Sequence, residues 1–190
     1  MTQLDLRYHQ ETAHVGFLLQ LHHLTALCLD CDNDEAGLIP PDALLSSLVR
    51  CTRLTDLTLT CGFNSARWSA LFAKLTALKK LRIGRSPLDT LQCFATGPIT
   101  QSLEELIIES FDRPPSELPY LYALRRLRSL RLDWCFSPRL SDATIAGLSP
   151  PTALLPALTG LFYRGLDVRD GGPVQRKGLS FEWTHARLTD

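Results

Sequence analysis

The amino-acid sequence predicts an α/β fold, a solenoid with a curved parallel sheet on its concave side and helices and turns on its convex side. Leucine accounts for about one residue in five, and short L-x-x-L segments recur at regular spacing. The chain between these segments shows helical spacing of apolar residues. Because a chain of 190 residues lies in the usual range for one domain, we predict a single domain over residues 1–190. It would contain about seven to eight coils.

Six aligned segments predict the strands. Each reads L-x-x-L and continues with one outward and one inward residue: LTALCL from Leu24, LTDLTL from Leu54, LKKLRI from Leu78, LEELII from Leu103, LRSLRL from Leu127 and LTGLFY from Leu158. Their central leucines are 30, 24, 25, 24 and 31 residues apart. Alternate side chains of a strand face opposite sides, so these leucines point inward, and only stacked strands can bury them. Further strands are predicted at Gln3–Arg7 and Leu179–Trp183.

The segments between strands are predicted to return over the core. Residues Pro41–Arg50 begin with a helix-starting proline and continue with leucines at helical spacing. Ala66–Leu75 and Glu117–Leu127 show similar helical spacing, and Ser141–Leu148 opens with an N-cap residue. The return segments are therefore predicted to cross the core as helices or extended turns, with helices in the segments named here.

These repeats resemble those of leucine-rich-repeat proteins over nearly the whole chain. The segment C-x-x-L-x-x-L-x-L-x-C from Cys51 to Cys61, and L-S-D-x-x-I-x-x-L from Leu140 to Leu148, are similar to the cysteine-containing repeats of F-box substrate receptors. The resemblance implies a non-catalytic module that binds another protein through its concave sheet. One alternative is the substrate-recognition part of a ubiquitin-ligase-type complex. The other is an enzyme or nucleotide regulator with a site in Asp32–Pro41 or Pro138–Pro156.

Cys28 and Cys31 form a C-x-x-C, and Asp30, Asp32 and Asp34 have the alternating spacing of calcium loops. On an extended strand the two thiols point to opposite faces, which is poor geometry for one metal. The calcium loop also needs Gly and Glu where this chain has Glu35 and Pro41. We therefore predict structural cysteines, a solvated acidic turn, no metal and no cofactor.

The composition and the first residues limit which classes of partner and which cell compartment the sequence predicts. The 20 basic and 20 acidic residues cancel, so no global field recruits nucleic acid or an anionic membrane. The sequence lacks the motifs of hydrolases, metalloproteases and nucleotide-binding enzymes, and we predict that it is not an enzyme. The first residues lack the basic start and apolar run of a signal peptide, which predicts a cytoplasmic or nuclear protein.

The predicted binding surface consists of outward strand residues from the Leu81 strand onward. Arginine and aromatic residues are typical of interface hot spots. The predicted partner-binding residues are Lys80, Arg82, Arg85, Ile107, Glu109, Arg131, Asp133, Trp134 and Phe162. A second prediction places self-association or a partner at the N-terminal edge of the sheet, where the chain begins almost directly in a strand.

Overall fold

The computed structural model describes residues 3–8, 22–31, 46–60, 65–84, 91–109, 115–135, 154–167 and 175–182. Only the backbone is described for 6–8, 30–31, 65–66, 115–116, 133–135, 163–167 and 175–182. Within these residues the strands are β1 (Gln3–Tyr8), β2 (Ala26–Cys31), β3 (Asp56–Leu59), β4 (Lys80–Ile83), β5 (Glu105–Ile108), β6 (Ser129–Cys135), β7 (Gly160–Asp167) and β8 (Gln175–Glu182). The helices whose two ends are both described are α1 (Ser65–Phe72), α2 (Ile99–Ser102) and the 3₁₀ helices Leu91–Phe94 and Pro115–Ala123.

The described strands form one sheet in which spatial order follows chain order. Strands β1 to β7 pair in parallel. The register sets one leucine of each strand beside the next: Leu4, Leu27, Leu57, Leu81, Leu106, Leu130 and Leu161. The predicted α/β class with a parallel sheet is confirmed, and so is the predicted strand at the N-terminal end.

Backbone hydrogen bonds at the amino ends of the strands repeat along the sheet. The Thr55 carbonyl accepts the N–H groups of Lys79 at 2.8 Å and Lys80 at 2.9 Å. Four other carbonyls accept two successive N–H groups in the same way, those of Thr25, Lys79, Glu104 and Arg128. These backbone hydrogen bonds do not depend on the identity of the outward side chains, which can therefore differ from strand to strand.

The inward side chains form one continuous core. Leu57, Leu81, Leu106 and Leu130 are all buried in it, as predicted. The first leucine of each aligned segment is also fully buried: Leu24, Leu54, Leu78, Leu103, Leu127 and Leu158. Burial of so many large side chains in one cluster is the main favourable contribution to folding.

Two return segments differ in helix type, and the spacing of their buried residues explains the difference. In α1 and the turn after it, the buried residues Trp68, Leu71, Phe72 and Leu75 have the spacing of an α-helix. The Trp68 and Phe72 rings lie 5.2 Å apart, which anchors α1 in the core. This helix overlaps the predicted helical segment Ala66–Leu75 and begins one residue before it. Only residues 46–50 of the segment Pro41–Arg50 are described, and 46–48 are α-helical.

The segment predicted to be helical at Glu117–Leu127 contains the 3₁₀ helix Pro115–Ala123 instead of an α-helix. Its buried leucines occur at every third position: Leu118, Leu121 and Leu124. Three residues per turn is the period of a 3₁₀ helix. Pro119 lies inside the segment and cannot donate the backbone hydrogen bond that an α-helix interior requires.

The strand predicted near the C-terminal end is present, but it does not continue the parallel sheet. A strand is present at β8, but it pairs antiparallel with β7. Only residues 168–174 separate the two strands, whereas a parallel connection needs a dozen or more residues. Among the described strands, the last parallel one is therefore β7, and β8 pairs with it as the second arm of a hairpin. The predicted helix at Ser141–Leu148 lies outside the described residues.

Candidate functional site

The outward side of the sheet, opposite the core, carries the side chains predicted to bind a partner. Strand register places one outward residue of each strand in a row across β2 to β7: Cys28, Thr58, Arg82, Ile107, Arg131 and Phe162. We call this row the central row. It has the predicted membership and order. Each of its members is exposed or half-buried, while the residues on either side along the strand are buried where their side chains are described.

Ion pairs join residues in and beside β4 to residues in and beside β5. The ammonium of Lys79 lies 3.7 Å from a carboxylate oxygen of Glu104, and that of Lys80 lies 3.6 Å from one of Glu105. The guanidinium of Arg82 binds Glu109 through Nη2 and, at 3.0 Å, through Nε. The three cations of this strand region therefore already have carboxylate partners within the chain.

Gly84 leaves room for the carboxylate of Glu109. A Cβ atom at this position would lie 2.8 Å from Glu109 Oε2 and 3.3 Å from Thr60 Cγ2. A larger residue at position 84 would displace the Glu109 side chain from its place beside Arg82. The atom approached is the end of a flexible glutamate side chain, so the absence of a side chain at Gly84 matters for the position of this carboxylate.

An arginine and an aromatic ring meet at the other end of the central row. The guanidinium carbon of Arg131 lies 4.6 Å from the centroid of the Phe162 ring, a cation–π contact. Ile107 lies beside Arg131 in the row and is half-buried. The structure therefore brings together a cation, an aromatic ring and an aliphatic side chain from three successive strands.

The side chains of the remaining predicted site residues, Arg85, Asp133 and Trp134, are not among the described ones. Arg85 lies outside the described residues. Asp133 and Trp134 belong to β6, where the pairing with β7 shifts between Asp133 and Cys135. Trp134 is the extra residue of this bulge, and β-bulges change the direction in which side chains project. Whether Trp134 takes part in binding stays a prediction.

Two shallow depressions lie on the outward side of the described strands. One of about 160 Å³ is lined by residues of β3, β4 and β5, among them Thr58, Arg82 and Ile107. The other, of about 370 Å³, is lined mainly by small residues of β1 to β3, among them Gln3 and Cys28. The larger depression lies in the N-terminal half, which the sequence prediction did not include. Its signal in the sequence is the run of small outward residues in the first strands.

The sequence prediction also omitted three exposed arginines beside β6. Arg125 and Arg126 lie in the turn before this strand, and Arg128 lies at its amino end. The alternation of a strand pattern assigns no side to turn residues, whereas the run Arg-Arg-Leu-Arg is visible in the sequence. Aligning Lys79-Lys80 with Glu104-Glu105 is also enough to predict two of the three ion pairs.

The three cysteines whose side chains are described differ in their exposure to solvent. Cys28 is half-buried on the outward side, while Cys51 and Cys93 are buried in the core. Burial raises the pKa of the Cys51 thiol above its ordinary value of 9.0, because desolvation disfavours the thiolate. Among the described residues, no group of three or more His, Cys, Asp or Glu side chains could hold a metal ion. The side chains of Asp30 and Cys31, and residues Asp32 and Asp34, lie outside this description.

The helices in the described part of the chain are too short or too polar to cross a membrane. His22 and His23 are exposed, and their ring centroids lie 4.0 Å apart.

Comparison with models of known protein families gave no match, and comparison with curated proteins gave none either.

Proposed function

We propose that this protein is a leucine-rich-repeat solenoid that binds another protein through the outward side of its sheet and has no catalytic activity. The observation that carries the proposal is the difference between the two sides of the same strands. Inward positions repeat leucine or isoleucine, while outward positions in the same register change in size and charge. A repeated core with a variable outer row is the expected arrangement for a binding surface on a repeat protein.

The composition of this surface supports a protein partner. Arg131, Phe162 and Ile107 are the residue types that give protein interfaces most of their binding energy or fill their apolar centre. The two depressions described on the outward side are shallow and open to the surface, whereas small-molecule sites enclose most of their ligand. A broad face of this kind fits a protein partner better than a small molecule.

The test begins with affinity purification of the protein from its native cell, followed by titration with the partner identified. The double variant Arg82→Glu with Arg131→Glu should weaken binding by about 2 kcal/mol or more, since both residues lie in the central row. The matched control is Arg50→Glu with Lys74→Glu, which makes the same charge change at exposed positions outside the sheet. Unaltered affinity of the central-row variant, with both variants folded, would contradict the proposal.

The alternative functions stay predictions. Segments 32–41 and 138–153 lie outside the described residues, so the structure does not bear on an enzymatic or nucleotide-binding site there. A ubiquitin-ligase role would be indicated by an adaptor protein that co-purifies in stoichiometric amount.

A further inference from the structure

Four exposed arginines lie together at the amino end and on the outward side of β6. They are Arg125, Arg126, Arg128 and Arg131, and we call them the arginine patch. The first two occupy the turn before the strand, the third precedes its first residue, and the last belongs to the central row. Phe162 lies against Arg131. The patch therefore combines a dense positive charge with one aromatic side chain.

The backbone beneath the patch is fixed by the core and by the preceding coil. The Arg125 N–H donates to the Thr100 carbonyl at 3.0 Å, and the Arg128 N–H donates to the Glu104 carbonyl at 2.8 Å. The leucines on either side of Arg125 and Arg126 in sequence are fully buried, Leu124 and Leu127. The arginines thus project from a preorganised backbone, which reduces the entropy lost when a ligand orders this region.

The arginine patch differs from the basic residues of β4 in its neighbours. Lys79, Lys80 and Arg82 each pair with a glutamate of the following strand region. No carboxylate of the described residues lies within ion-pair distance of Arg125, Arg126 or Arg128. Glu104 stands next to Arg128 in strand order, but its carboxylate pairs with Lys79.

Arg125, Arg126 and Arg128 are clustered without carboxylate partners among the described residues, so they repel one another, and an incoming anion relieves that repulsion. The planar guanidinium matches a carboxylate with two parallel hydrogen bonds. The patch is also bounded, because the neighbouring β5 region carries Glu104, Glu105 and Glu109. A long polyanion lying across both strands would meet these glutamates, whereas a short acidic segment would meet only the arginines.

We propose that the arginine patch binds a short acidic segment of a partner protein, with Asp or Glu carboxylates on the arginines and an apolar side chain against Phe162. This inference rests on the proposed function as a protein-binding module and specifies the chemistry of the partner. It also moves the centre of the interface from β4, where the cations are already paired, to β6. The even balance of 20 basic and 20 acidic residues in the chain makes this a local attraction and not a global one.

The direct test uses a fluorescein-labelled decaglutamate peptide and measures its binding by fluorescence anisotropy. The triple variant Arg125→Ala, Arg126→Ala, Arg128→Ala should bind the peptide at least about tenfold more weakly than the unaltered chain, because it removes three of the four cations. The matched control is Arg50→Ala, Arg53→Ala, Lys74→Ala, which removes three exposed cations from the turns before β3 and β4. It should weaken binding by less than about threefold. Raising the salt concentration should weaken binding to the unaltered chain.

The triple glutamine variant at the same three positions repeats the measurement if the alanine variant does not fold. No binding of decaglutamate by the unaltered chain, or equal weakening by both alanine variants, would overturn the proposal. So would tighter, patch-dependent binding of a ten-residue thymidine oligonucleotide or of vesicles containing phosphatidylserine. Because the peptide assay needs no native partner, it can fail while the Arg82 and Arg131 variant still loses the partner, and the proposed function would then stand without this inference.

Discussion

The two sides of the same strands follow different rules. On the inward side, β4 and β5 carry the same pair of residues, a leucine followed two positions later by an isoleucine. On the outward side, β4 presents Lys80 and Arg82. The equivalent positions of β5 hold Glu105 and Ile107. The backbone ladder is the same on both strands, so this comparison separates residues that build the fold from residues that are available for binding.

The largest expected difference between the two sides concerns adjacent residues of β5. Leu106→Ala should lower the free energy of unfolding by about 2 to 5 kcal/mol, because it leaves a cavity between two neighbouring strands. Ile107→Ala, at a half-buried outward position, should lower it by less than about 1 kcal/mol. Urea denaturation of the two variants measures both values. Equal losses would mean that the outward position is as tightly packed as the core.

The inward side could be predicted from the sequence almost completely. Leucines at fixed spacing define the strands, and period-two alternation assigns each residue to a side. The resulting row from Cys28 to Phe162 is the row that the structure contains. This success has a physical cause, because a shift of one residue would turn every leucine of a strand to the wrong side.

The helix type and the last strand could not be predicted in the same way. A spacing of three residues between Leu118, Leu121 and Leu124 was interpreted as generally helical, although it is the 3₁₀ period. Strand β8 was predicted from its composition, which is similar for parallel and antiparallel strands. Its direction follows from the seven residues 168–174 that precede it, since their number is too small for a crossover.

The candidate site could be predicted only as a set of positions. Sequence placed Lys80, Arg82 and Glu109 on the outward side but did not show that Arg82 and Glu109 bind each other. Such pairs depend on side-chain reach across strands, which the alternation pattern does not contain. Arg125 and Arg126 were omitted because turn residues have no assigned side in a strand pattern.

The second comparison of the two sides uses cysteines. Iodoacetamide should modify half-buried Cys28 in the native protein and leave buried Cys51 unmodified until the chain unfolds. Cys51→Ala should cost about 1 to 2 kcal/mol near neutral pH, since it removes a buried side chain. Peptide mapping after timed alkylation measures the first effect. Equal labelling of both thiols in the native state would contradict the assigned sides.

The pH dependence of this cost has a definite sign. Because the pKa of Cys51 is raised in the folded protein, its contribution to stability is complete below pH 9.0 and is lost as the pH rises through the folded-state pKa. The difference in unfolding free energy between the unaltered chain and Cys51→Ala should therefore shrink above pH 9.0. Urea denaturation at several pH values from neutral to alkaline measures it, and a constant difference would contradict the raised pKa.

The smallest effect is expected for the ion pair between Arg82 and Glu109 on the outward side. A double-mutant cycle with Arg82→Ala and Glu109→Ala should give a coupling free energy of about 0.2 to 1 kcal/mol, because water and salt screen exposed charges. The two contacts made by the guanidinium place this pair at the upper end of that range. The cycle for Lys80 and Glu105, joined by one contact at 3.6 Å, is the matched comparison and should give a smaller value.

Both couplings should decrease when the salt concentration is raised to about 1 M, where the screening length is only about 3 Å. The unfolding free energy lost in Leu106→Ala should not decrease in the same way, since it arises from packing and not from charge. A coupling between Arg82 and Glu109 above about 2 kcal/mol that is insensitive to salt would be typical of a buried pair. That result would assign this part of β4 and β5 to the structural side of the sheet, and a partner would then have to bind on β6 and β7.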